Sequence, residues 1–141
     1  MNEIKHILLL EDDVVDVMTT RRAFKELEIA EKLHVGNNGE EGLSFLNDPA
    51  QPLPDLILLD IYMPRMNGHE FLREIKHDER FRRIPIVVLT TSKEDGDRLE
   101  SFNTGVAGYI IKPVSYAKFV EALSQIHSYW SLNQLPEEES E

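Results

Sequence analysis

Short apolar runs alternate along the chain with longer stretches in which apolar residues recur every three or four positions. Ile7-Leu8-Leu9-Leu10, Leu56-Ile57-Leu58-Leu59 and Ile86-Val87-Val88-Leu89 carry no polar alternation, the pattern of central strands buried on both faces. Lys32 to Val35 and Tyr109-Ile110-Ile111 read as two further, weaker strands. Between these segments Val14 to Leu27, Glu40 to Leu46, His69 to His77, Asp95 to Asn103 and Tyr116 to Trp130 have helical spacing. In the last of them Phe119, Leu123, Ile126 and Trp130 fall on one helical face. Five strands in strict alternation with five helices predict an α/β fold, a doubly wound five-stranded parallel sheet with helices on both faces.

Asn37-Asn38-Gly39, the stretch Pro49 to Pro54, Asn67-Gly68 and Gly105 interrupt the periodicity and mark chain reversals. The chain has 141 residues, 41% of them hydrophobic, enough for one domain with its own core. Residues 1–133 are expected to form that domain, ending in an extended C-terminal helix. Residues 134–141, which include Glu137, Glu138, Glu139 and Glu141, are expected to form a solvated acidic tail. Fifteen basic against 26 acidic residues give a net charge of -11, which opposes binding to a nucleic-acid backbone or an anionic membrane surface. The absence of cysteine excludes disulfides, thiolate nucleophiles and cysteine-ligated metals. With no signal-like or membrane-length apolar segment, a cytoplasmic location is expected.

Ligands of open parallel sheets bind beyond the carboxyl ends of the strands. The first strand runs into Glu11-Asp12-Asp13, the third into Asp60, the fourth into Thr90-Thr91-Ser92 and the fifth into Lys112-Pro113. Were these strands neighbours, carboxylates, hydroxyls and one ammonium would share a small volume. Carboxylates so crowded repel one another unless a cation lies among them, and Mg²⁺ or Mn²⁺ suits all-oxygen ligands. Asp13 and Asp16 open the first helix, where acidic residues favour the N-terminus, so capping is their expected role. The five histidines, His6, His34, His69, His77 and His127, show no metal-ligand spacing and are expected at scattered surface positions. Neither the Walker pattern nor the dinucleotide fingerprint is present.

The acidic pair, Asp60 followed by Met63-Pro64 and Asn67-Gly68, Thr90, and Lys112-Pro113 together resemble the receiver domain of two-component response regulators, over Ile7 to Trp130. Leu89-Thr90-Thr91-Ser92, Lys112-Pro113-Val114 and Tyr129-Trp130 are similar to the small single-domain regulators that serve bacterial phytochrome-type histidine kinases. The resemblance implies a flavodoxin-like strand order, 2-1-3-4-5. It further implies that Asp60 is the phosphoacceptor, taking a phosphoryl group from a sensor histidine kinase. Asp12, Asp60 and the backbone carbonyl of Tyr62 would hold the metal, with Glu11 acting through water. Lys112, Thr90 and the backbone of Thr91 would hold phosphoryl oxygens, and Pro113 would follow a cis peptide bond. Thr90 and Tyr109 match the family's switch pair, read out on the surface of the last two helices and the fifth strand. Each residue also has a plainer role: a turn or cap for Asp60, the surface for Lys112, a half-buried strand position for Tyr109.

Tyr62 and Ser92 are expected to flank the path of the hydrolytic water, and a tyrosine there should slow loss of the phosphoryl group. Tyr129, Trp130, Leu132 and Leu135 extend the last helix with apolar character, which either packs back on the domain or joins a homodimer, with Phe119, Tyr129 and Trp130 as candidate contacts. The alternatives to a stand-alone regulator are an intermediate phosphorelay carrier, a metal-dependent phosphatase using Asp60 as nucleophile, and a scaffold that accepts no phosphoryl group. Tyr62 stands where such phosphatases commonly carry a second carboxylate.

Overall fold

Five strands, β1 (Ile7–Leu10), β2 (Leu33–Gly36), β3 (Leu56–Asp60), β4 (Ile86–Thr90) and β5 (Gly108–Ile111), pair in parallel in the order β2-β1-β3-β4-β5. The computed structural model describes residues 5–90, 106–111 and 115–132, with the backbone alone at residue 31 and residues 129–132. Among the described residues there are four α-helices: α1 (Val14–Glu26), α2 (Gly39–Asn47), α3 (Gly68–Lys76) and α4 (Tyr116–Leu132). The predicted helix over Asp95 to Asn103 lies outside the described residues. Lys32, expected to open a strand, instead closes a 3-10 turn (Ala30–Lys32), its amide donating to the Ile29 carbonyl at 3.1 Å. The second strand therefore begins one residue later. Being an edge strand, β2 is half exposed at its centre, which is why its apolar run is short and interrupted by His34.

The three central strands are buried along their length, and alternate residues feed two cores. Leu8, Leu10, Ile57, Leu59, Ile86 and Val88 meet Leu46 of α2 and Phe71, Leu72 and Ile75 of α3 on one face. Ile7, Leu9, Leu56, Leu58, Val87 and Leu89 meet Ala23 and Phe24 of α1 and Phe119 and Leu123 of α4 on the other. Burying each such side chain fully contributes about 1.5–3 kcal/mol, so two-sided burial is what requires the uninterrupted apolar runs.

Helix starts are set by short polar side chains. Asp13 accepts from the Asp16 amide at 3.0 Å, Asn38 from the Glu41 amide at 2.9 Å, and Asn67 and Glu70 form a reciprocal capping box. The capping role expected of Asp13 is thus observed, while Asp16 lies in the first turn. Helices α1 and α4 are tied by Tyr116, whose hydroxyl donates to Glu26 at 2.9 Å and whose ring lies 4.1 Å beneath the Arg22 guanidinium. Among the described residues no helix is long and apolar enough to cross a membrane.

Candidate functional site

Parallel pairing brings every strand's carboxyl end to one edge, and register decides which residues stand level there. Leu10 is opposite Leu59, so Glu11 and Asp60, the next residues on β1 and β3, leave the sheet side by side. Asp60 is opposite Leu89, which puts Thr90 one residue beyond it on the adjoining strand. Glu11, Asp60 and Thr90 are buried and Asp12 is exposed. The Glu11 amide donates to the Gly36 carbonyl at 3.0 Å, and its carboxylate accepts from the Asp13 amide at 3.2 Å. One bend of chain therefore fixes Glu11 and starts α1.

Glu11, Asp12 and Asp60 each direct one carboxylate oxygen into a group whose members lie within 4.8 Å of one another. At that spacing two ionised carboxylates repel by roughly 3 kcal/mol at an effective dielectric of 20. The donor set is all oxygen, with Asp12 on the solvent side. It fits a hard dication that keeps some of its waters, and Mg²⁺ and Mn²⁺ are of that kind.

The loop after Asp60 is held at both ends. The Gly68 amide donates to the Ile61 carbonyl and the Gly39 amide to the Met66 carbonyl, both at 2.8 Å. Ile61 and Met63 are buried beneath it, whereas Tyr62 is exposed. A side chain at Gly68 would stand 2.7 Å from Ile61 Cα and 2.8 Å from the Asp60 carbonyl oxygen, so only glycine lets α3 start this close to the site.

Tyr109 of β5 is opposite Val88, half-buried against the α2–α3 side of the core. Thr90 is two residues after Val88, and alternation places it on the same sheet face as Tyr109. Thr91, Lys112 and Pro113 lie outside the described residues. Phe119 requires a correction: it is only 8% exposed, packed inside the domain against the β1–β3–β4 face, and cannot also present a dimer surface. Nothing is described of the Tyr129 and Trp130 side chains.

Sequence reading missed an apolar rim. Val14, Val15 and Met18 of α1 are 70%, 68% and 63% exposed, beginning two residues after Asp12. A helical wheel holds the missed signal, since it turns these three away from the buried Ala23 and Phe24.

Residues 7–124 match the family model described as the response regulator receiver domain. The chain belongs to that family. Among its relatives, the probable methanogenesis regulatory protein FilR2 of Methanothrix harundinacea is 37% identical over 127 residues, covering 88% of this chain and 82% of the relative. The response regulator Rcp1 of Synechocystis is 34% identical over 133 residues, 92% of this receiver and 90% of Rcp1. In structure, the phosphorylated cyanobacterial phytochrome response regulator RcpA superposes with a TM-score of 0.82 at 32% identity, over 94% of this chain and 99% of RcpA. The Mn²⁺-bound form of Rcp1 gives 0.76 at 32% identity with the same coverages. The receiver is thus homologous to the regulators of phytochrome systems. Acceptance of a phosphoryl group by an aspartate, from a histidine kinase, is what membership of the family implies.

Proposed function

We propose that this receiver accepts a phosphoryl group on Asp60 from a sensor histidine kinase of the phytochrome type and signals through a change in packing and assembly. The convergence of Glu11, Asp12 and Asp60 beside Thr90 carries the reading. An Asp60 oxygen attacks the phosphorus, an O–P bond forms as the P–N bond of the donor phosphohistidine breaks, and the electron pair stays on the imidazole, which retains its aromatic ring. Asp12, Asp60, the Tyr62 carbonyl and Glu11 through water would hold Mg²⁺ or Mn²⁺, which would supply positive charge against the mutual repulsion of two approaching anions. Thr90 donates its hydroxyl to one phosphoryl oxygen, Lys112 neutralises another, and the Thr91 amide completes the cradle. The chain turns over no substrate beyond its own phosphorylation and dephosphorylation. The exposed Tyr62 ring slows the latter by screening the acyl phosphate from water.

The rim of Val14, Val15 and Met18 favours a protein donor, because a small phosphodonor has no use for exposed apolar surface on its approach path. The likeness to RcpA, named as a cyanobacterial phytochrome response regulator, supports the kinase class. Residues 1–133 form the signalling unit, cytoplasmic and dimeric through the end of α4 at Tyr129 and Trp130, followed by an acidic tail over residues 134–141.

Mass spectrometry and sedimentation test this together, after incubation with Mg²⁺ and either acetyl phosphate or a phosphorylated kinase. Wild type should gain a single phosphoryl group from both donors and change its oligomeric state, while Asp60→Asn gains none. Met18→Glu should react normally with acetyl phosphate yet at least tenfold more slowly with the kinase. An adduct on Asp60→Asn would refute the assignment.

A further inference from the structure

The scattered distribution expected of the histidines fails at one place. His6, just before β1, and His34, in the edge strand β2, are 28 residues apart in sequence, yet His6 Nδ1 and His34 Nε2 share a 3.1 Å hydrogen bond, one ring donating to the other according to tautomer, and a bound ion would take the place of that shared proton. Both side chains are half-buried and so remain open to solvent on one side. The structure assigns to this pair a second cation site, a two-imidazole chelate for a borderline divalent ion such as Zn²⁺, at the opposite end of β1 from the carboxylates.

Two observations carry the assignment. The first is the bite. Two imidazole nitrogens on one zinc at 2.0–2.1 Å stand about 2.9 Å apart at a right angle and about 3.3 Å apart at the tetrahedral angle, and 3.1 Å lies between these limits. The second is preorganisation. Asp55 accepts from the backbone amides of Lys5 and His6 at 2.8 and 3.1 Å, and the Asp55 amide donates back to the His6 carbonyl at 2.8 Å. That triple link fixes the segment bearing His6. On the other strand, Phe45 of α2 packs its ring 5.1 Å from that of His34, and the two imidazoles lie 5.2 Å apart, tilted by 43°.

The two sites differ in hardness. Oxygen donors select Mg²⁺ or Mn²⁺, while imidazole suits zinc, nickel and copper, so an ion at the histidine pair coexists with Mg²⁺ at the carboxylates. Water completes its coordination, since among the described residues the only group of three or more candidate ligands is the carboxylate cluster. A bound ion would staple β2 to the chain entering β1 and stabilise the fold by mass action.

Calorimetric titration of Zn²⁺ into the protein in excess Mg²⁺, with thermal unfolding followed in parallel, tests the site. Wild type and Asp60→Asn should each bind one Zn²⁺ per chain with equal affinity and a raised Tm. His6→Gln and His34→Gln should each weaken binding at least tenfold and abolish the Tm shift. His6 precedes the strand, so His6→Gln decides the matter even if His34→Gln folds poorly. Unchanged Zn²⁺ binding in His6→Gln, a loss confined to Asp60→Asn, or no saturable binding to wild type would each overturn the assignment.

Discussion

A histidine in a half-buried strand carries a pH signature separate from that of the carboxylates. His34 is held below its ordinary value of 6.5, first by burial and then by His6. A depressed folded-state value means that the unfolded chain binds the proton first as pH falls. The sign follows: His34 contributes stability above pH 6.5 that is lost as pH drops through 6.5 toward the folded value, and acid below that window costs nothing further at this residue. In metal-free buffer, urea midpoints measured from about pH 7.5 down to about pH 5.5 should fall in wild type, ahead of the carboxylate range. They should flatten in His34→Gln. An equally steep decline in that variant would assign the effect elsewhere.

Elements in this receiver meet where one atom more would not fit. The first residue of α3 stands against the backbone on which Asp60 is carried, 2.7 Å from a hypothetical side chain to Ile61 Cα. Backbone cannot rotate out of the way as a side-chain tip can, so Gly68→Ala must displace either α3 or the end of β3. Overpacking of this kind costs about 1–3 kcal/mol. The variant is expected to unfold at lower urea and to accept phosphate from acetyl phosphate at least tenfold more slowly. Wild-type rates would mean that the loop yields without moving the carboxylate. The sequence marked Asn67-Gly68 as a chain reversal, and the pair opens α3 as its cap and first residue. What it did not reveal is that the glycine serves close approach as well, because the opposing atoms belong to residues whose position depends on β3.

At the scale of the whole molecule, a hydroxyl at one strand end and an aromatic ring on the next strand are the two parts of the proposed switch. Thr90 and Tyr109 lie on the same face of adjacent strands, so under the proposed function a threonine drawn toward a phosphoryl group would vacate space on Tyr109's side of the sheet, a two-state packing change. Thr90→Ala should leave phosphorylation of Asp60 within a few-fold of wild type and remove the phosphorylation-dependent change in sedimentation. A preserved change in assembly would break the coupling.

Much of this architecture was legible because two-sided burial demands uninterrupted apolar runs. Leu8 to Leu10, Leu56 to Leu59 and Ile86 to Leu89 could be little other than central strands. Strand bounds at the edge were less legible, since β2 is half exposed and Lys32 obeys a local turn rather than the sheet. Phe119 was misjudged as a dimer contact because helical spacing says that residues share a face without saying what the face meets. Here it meets the domain's own sheet.

The sequence by itself determined the alternation of elements, the caps and the residue types at the strand ends, for these depend on local periodicity and on short polar side chains. Only the tertiary structure decided which distant residues are neighbours. Parallel register sets Glu11 beside Asp60, leaves Val14, Val15 and Met18 facing solvent, and brings His6 to His34. Each depends on separate segments, on how the strands pair and which helix face the core covers.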